Sequence, residues 1–241
     1  MTPTTHRHIV TAYEEALKKL RSSVVEMAGA AETQVDGALA CLAQRDPTLA
    51  GEVVRGDGRL DREQQEIEAA SMRLLVLRQP VADDLREVMA ALKMAGSLER
   101  VGDHAANIAK RSSALRGLPD TPTLAGLPAL GRLVRERLGT VLDAYVEGDA
   151  ERALQVWRND DEVDALHSSV VQAVTRAAAE APERFQAHMH LLFIAKGLER
   201  IGDHATNIAE TVYFLVTGQP LSDERPKADE ASGASPRESQ P

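Results

Sequence analysis

The chain has 241 residues, enough for one or two domains with a true core, and 43 % of them are hydrophobic, which excludes a disordered polymer. Lys plus Arg number 28 against 37 Asp plus Glu, a net charge of −9, and aromatics are only 3 %. That balance argues against a nucleic-acid binder, because an acidic surface repels phosphate backbones and few rings are present to stack on bases.

The single cysteine, Cys41, excludes an intrachain disulfide framework and any Cys-rich metal centre, and points to the cytoplasm. No run of about 20 apolar residues predicts a membrane span. The N-terminal segment lacks the apolar stretch of a signal peptide.

In chain order, Ala, Leu, Glu, Arg and Gln dominate, and apolar residues recur at three- and four-residue steps, so the whole reads as helical. Asp46-Pro47 has the form of an N-cap with proline at the first helical position. The stripe Leu49, Val53, Leu60, Ile67 and Leu74 follows it. Gln79-Pro80 predicts a tight turn into a third helix striped by Leu85, Val88, Leu92, Ala95, Val101, Ala105 and Ile108. Gly117 to Pro122 reads as a linker, Gly148-Asp149 as a stop and a new N-cap, and Ala181-Pro182 as a further break. Six helices result. Met27, Met72, Met89 and Met94 read as core filler. From Gly218 to Pro241 the composition turns polar, predicting a disordered tail over 219–241.

The most informative feature is an internal repeat. Leu98-Glu99-Arg100-Val101-Gly102-Asp103-His104-Ala105-Ala106-Asn107-Ile108-Ala109 returns 100 residues later, from Leu198 to Ala209, with ten of twelve positions identical. Upstream, Asp46, Val53, Asp57, Leu60 and Asp61 match Asp149, Val156, Asp160, Val163 and Asp164 at a spacing of 103. The expected architecture is all-α: two three-helix bundles, residues 1–117 and 118–218, related by an approximate twofold.

Each copy carries two acid pairs at four-residue spacing: Asp57/Asp61 with Glu99/Asp103, and Asp160/Asp164 with Glu199/Asp203. Residues four apart share a helix face, and like charges there are mildly destabilising. Asp61 lies 18 residues before Gln79 and Glu99 lies 19 after Pro80, while Asp57 and Asp103 lie 22 and 23 away. An antiparallel hairpin therefore sets the two pairs at equal heights. Four carboxylates without His or Cys suit hard cations such as Mg²⁺, Ca²⁺ or Mn²⁺, with iron a further candidate. A plain salt-bridge network with Arg100 and Arg200 is the competing reading. Gly102 and Gly202 predict close helix approach. His104 and His204 read as boundary histidines hydrogen-bonded to a neighbouring helix, and Asn107 and Asn207 as amides bonding across helices or to water.

The duplicated Leu-Glu-Arg-x-Gly-Asp-His-x-x-Asn-Ile-Ala motif, with Gln79-Pro80-Val81-Ala82-Asp83-Asp84-Leu85-Arg86 and Tyr213 to Gly218, resembles the PhoU family of bacterial phosphate-signalling proteins over roughly residues 6–218. The resemblance implies multinuclear metal sites on the eight acids, with iron foremost and Mn, Mg or Zn as further candidates. It implies a non-enzymatic regulator that restrains phosphate uptake and represses the phosphate-starvation response. Its expected partners are the ATPase subunit of the phosphate ABC transporter and a phosphate-sensing histidine kinase. Arg86, Arg100 and Arg200 are candidate partner contacts, and a homodimer is the expected assembly. A metal-dependent hydrolase or oxidase and a passive helical scaffold are the alternatives. Gly58, where the second copy has Asp161, departs from the repeat and predicts a weaker first site.

Overall fold

The computed structural model describes residues 3–78, 80–118 and 126–221. Among them every regular element is helical. The elements are α1 (Pro3–Gln44), α2 (Pro47–Arg78), α3 (Ala82–Ala114), α4 (Leu127–Glu147), α5 (Ala150–Arg158), α6 (Asp160–Glu180), a 3₁₀ turn over Pro182–Arg184, and α7 (Phe185–Thr217). None is long and apolar enough to cross a membrane. Residues 222–241 of the tail predicted over 219–241, residues 119–122 of the linker predicted over 117–122, and residues 123–125 after it lie outside the described residues.

Helix boundaries follow local chemistry. Arg45 takes a left-handed φ of 53° after α1. The Thr48 amide then donates to Asp46 Oδ1 at 2.8 Å, capping α2. Gly148, at φ 68°, ends α4 in the conformation glycine adopts without steric cost. Asp149 accepts the Arg152 amide at 3.0 Å and starts α5.

The six-helix expectation needs one correction. In the second copy the middle helix is broken at Asn159, where φ −100° and ψ 23° leave the helical region. Arg158 closes α5, and Asp160, Asp161 and Glu162 crowd the first turn of α6, an arrangement that suits both helix dipoles. The first copy has Gly56 at that register, inside an unbroken α2.

α1, α2 and α3 form one bundle, and α4, α5–α6 and α7 the other. The two join along α3 against α7 and along α1 against α4. A Cβ placed on Gly197 of α7 would stand 3.0 Å from Ile108 Cγ1 of α3, and one on Gly131 of α4 only 2.5 Å from Leu39 Cδ2 of α1. Arg135 pairs with Asp36 at 3.0 Å across the same seam. One continuous apolar cluster runs through both copies, including Met27, Leu60, Met94, Leu98, Leu138, Leu191 and Leu198.

Several expected core positions lie elsewhere. Leu49 and Leu92 are half-buried, and Leu85 is exposed. Met72 and Met89 are also exposed, at 57 % and 40 %, and with Val76, Leu77 and Val81 they make an apolar surface around the α2–α3 turn. Met72 lies off the buried Leu60, Ile67 and Leu74 stripe of α2, and the buried face of α3 begins only at Val88.

The glycine expectation holds at both motifs. A Cβ on Gly102 would stand 2.3 Å from Leu60 Cδ1 and 3.3 Å from Asp57 Oδ1, whereas one on Gly202 would meet Val163 Cγ1 at 3.0 Å. Leu60 is fully buried and has little room to withdraw. Gly102→Ala is therefore expected to lose up to about 2 kcal/mol. Overpacking at about 1–3 kcal/mol outweighs a helix-propensity gain of about 1 kcal/mol. Gly202→Ala should be nearly neutral. Urea midpoints of the two variants measure this, and equal shifts would refute the packing argument.

Candidate metal centre

The first acid quartet is assembled by the α2–α3 hairpin. Close approach at Gly102 brings Asp57 over the α3 backbone, level with Asp103. Asp57 is half-buried and its Oδ1 has no hydrogen-bond partner. Burial first, then the charges of Asp103 and Asp61, push its carboxyl above the usual range, with Lys110 opposing. Glu99 is raised in the same way, by burial and then by Asp103, against the pull of Arg100 and with smaller pushes from Asp61 and Asp57. The four acids predicted to share one height thus sense one another's charge. Asp61 is exposed.

The second quartet is built differently. Asp160 is buried and accepts a hydrogen bond of 2.7 Å from Thr206 Oγ1. Position 106 in the first copy is alanine, so this bond has no counterpart there. Glu199 keeps a buried Oε2 without a hydrogen-bond partner. Burial lowers the pKa of His167 on α6, Glu199 and Asp203 oppose it and Lys196 adds to it, so α6 senses the charges of this motif. Asp164 is half-buried one turn beyond Asp160. The departure at Gly58 was expected to mark the first site as the weaker. A separate asymmetry between the copies is the engagement of Asp160 with Thr206.

Arginines flank both quartets in matching poses. Arg100 stands 3.4 Å from Glu99 and 3.5 Å from Asp103, and Arg200 stands 3.8 Å from Glu199 and 3.5 Å from Asp203. Lys196 adds a 2.7 Å contact to Glu199. These pairs bear out the salt-bridge reading as far as it goes. With the cations about half exposed, each pair contributes about 0–1 kcal/mol and does not cancel the crowding of four acids. Arg86 pairs with Asp83 at 2.5 Å and lies against Gly218, away from both quartets.

Do these residues fit a metal? Among the described residues, no group of three or more His, Cys, Asp or Glu side chains is arranged to hold one ion. Glu99, Asp103, Glu199 and Asp203 are turned toward their arginines instead. The donor set itself is apt: all-oxygen, anionic, two carboxyls of the first quartet raised by burial and then by their neighbours' charge, and a buried oxygen in each quartet with no hydrogen-bond partner. The donor chemistry suits a hard cation, while the described side chains do not gather three ligands around one point.

Two expectations about neighbouring polar residues change. His104 and His204 do not bond to a neighbouring helix. Their rings stack on each other across the α3–α7 seam, centroids 5.8 Å apart and planes at 30°, and His204 Nδ1 is buried without a partner. Asn107 donates to the Asp103 carbonyl of its own helix at 2.9 Å. Stacking was not legible because the motif says nothing about which faces of the two copies meet. The duplication itself was the available signal, since twofold packing brings equivalent residues together at the axis.

Comparison with known proteins agrees with this architecture. A family model described as the PhoU domain matches twice, over residues 24–112 and 127–212. A "Phosphate-specific transport system accessory protein PhoU homolog" of Caulobacter vibrioides is 47 % identical over 223 residues, 92 % of this chain and 97 % of that protein. The protein of the same description from Zymomonas mobilis is 42 % identical over 214 residues, 89 % of this chain and 90 % of its own length. The crystal structure of PhoU from Pseudomonas aeruginosa superposes with a TM-score of 0.83 at 32 % identity, covering 86 % of this chain and all (100 %) of that one. The phosphate transport system regulatory protein PhoU from Streptococcus pneumoniae gives 0.79 at 27 % identity, covering 87 % of this chain and 99 % of that one. Two matched domains, a match over 92 % of the chain in sequence and a shared fold lead to one conclusion: the chain belongs to the PhoU family of phosphate transport accessory and regulatory proteins.

Proposed function

We propose that the protein is a cation-bearing adapter in the cytoplasm that restrains phosphate uptake and represses the phosphate-starvation response. Its partners in this reading are the ATPase subunit of the phosphate ABC transporter and a sensor histidine kinase. It works by coupling: docking on one partner biases its contact with the other. A homodimer presents each acidic face twice.

The observation that carries the reading is the duplicated acid quartet, in which the arginine pairs leave Asp57 Oδ1 and Glu199 Oε2 without hydrogen bonds. Asp57, Asp61, Glu99 and Asp103 would hold cations on one face, and Asp160, Asp164, Glu199 and Asp203 on the other. A bound cation supplies positive charge that relieves the repulsion among the acids and offers open coordination positions to a partner's oxygen ligands. Arg100 and Arg200, released from those acids, become available to a partner's carboxylates, and Arg86 presents a third cationic contact at the α2–α3 turn.

Two measurements test this. Protein purified without chelator and soaked in Fe³⁺, Mn²⁺, Mg²⁺ or Zn²⁺ should retain metal by elemental analysis, and a variant with all eight acids changed to Asn or Gln should not. Pull-down with the ATPase subunit and the kinase should capture both, more strongly when metal is present. Equal metal content in wild type and variant sinks the cation reading. Capture of neither partner in any phosphate or metal condition sinks the adapter reading.

A further inference from the structure

The second copy buries a histidine where the first buries a valine. Val88 and His188 hold the same register 100 residues apart, and both are essentially inaccessible, 0 % and 1 % exposed. The Val88 position shows that the fold needs only an apolar side chain there. His188 instead brings an imidazole whose Nδ1 finds no hydrogen-bond partner. An unanswered buried polar group is costly, and a ligand is one way to answer it.

His188 forms the floor of a cleft of about 570 Å³ between α6 and the start of α7. Ser169, Gln172 and Arg176 line one wall at helical spacing, and Arg184 closes the other from the 3₁₀ turn. Small alanine side chains between them keep the cleft open. Two guanidinium forks, a carboxamide and a hydroxyl thus line the same cleft as the buried imidazole. Glu180 stands at the rim, and Glu183 pairs loosely with Arg184 at 3.8 Å while itself largely in water. The first turn of α7 contains no acid, whereas Asp83 and Asp84 occupy the first turn of α3. Glu183 in the preceding 3₁₀ turn is the acid nearest the start of α7, and it is turned to Arg184.

We propose that this cleft binds a phosphoryl group. Guanidinium pairs match tetrahedral oxyanions, and donors arriving from three sides suit a tetrahedron better than a planar carboxylate. The shared chemistry covers inorganic phosphate and a phosphate monoester.

The test is calorimetric titration of the full chain, freed of metal by chelator, at constant ionic strength. Inorganic phosphate, glucose 6-phosphate and succinate are the three probes. Saturable binding of at least one phosphate compound at millimolar concentration or below is expected, and whichever binds tighter identifies the source. Arg176→Gln and His188→Val should each weaken it about tenfold, the loss typical of one charge-assisted hydrogen bond. His188→Val should fold at least as stably as the wild type, since Val88 already occupies that register, so its loss of binding reads on the ligand and not on the fold. Three results would overturn the proposal: no saturable phosphate binding, unchanged affinity in both variants, or tighter binding of succinate.

Discussion

Leu98→Ala should lower the unfolding free energy by about 3–5 kcal/mol, the range for a fully buried leucine truncated where the surroundings cannot collapse. Leu98 is 0 % exposed and sits at mid-length of α3, the helix that packs on α1, α2 and α7 at once. A void there is walled by three helices, each held by its own contacts, so relaxation is limited and the cavity persists. Leu85→Ala is the matched control: the same chemical change on an exposed side chain of the same helix should cost less than about 1 kcal/mol. Urea denaturation followed by circular dichroism measures both. Similar losses in the two variants would mean that α3 is not the central rod of the core.

Acid should weaken the fold through the histidine stack. Burial first, and then His104, lowers the His204 pKa from 6.5 to about 4, with Arg100 and Arg200 adding to the effect and Asp203 opposing it. His104 is lowered as well, by burial and the two arginines, against Asp103 and Glu199. The unfolded chain therefore binds more protons than the folded one between pH 6.5 and about 4. Stability from this group is complete above that window and is lost as pH falls through it. Because the ring is half-buried and partly screened, the loss amounts to about 1–2 kcal/mol. The raised carboxyls of Asp57 and Glu99 act with the opposite sign, favouring the fold as they protonate. The wild-type curve alone mixes the two effects. The difference between wild type and His204→Gln isolates the stack. The variant should lose less stability from pH 7 to 4, and superimposable profiles would dismiss the prediction.

The repeat made much of the fold legible. Ten identities in twelve, with Gly102 and Gly202 at equal register, imply that two copies pack their second and third helices closely, and the glycine contacts with Leu60 and Val163 are that packing. Hairpin arithmetic from Pro80 set Asp57 level with Asp103, and the charge felt between them bears this out. What stayed hidden depends on differences between the copies or on contacts between them. Thr206 in place of Ala106 looks conservative for a small helical residue, yet it captures Asp160. Trp157 looks like ordinary core, yet its indole nitrogen donates to Glu210 on α7 at 3.1 Å. The break at Asn159 depends on acids that favour a fresh helix start. His188 becomes conspicuous only once Val88 is known to be buried at the same register.

The packing of α3 on α7 ties the ancestral duplicates into a single thermodynamic body. Ile108 rests on Gly197, His104 on His204, and Leu39 on Gly131. Each half thus supplies part of the other's interior, much as subunits do in an obligate dimer. Severing the polypeptide between the halves would not release two independent modules. It would bare an apolar flank on each, and the fragments would survive only by re-pairing. Tandem duplication gave this molecule two similar halves, and shared burial has since made them inseparable.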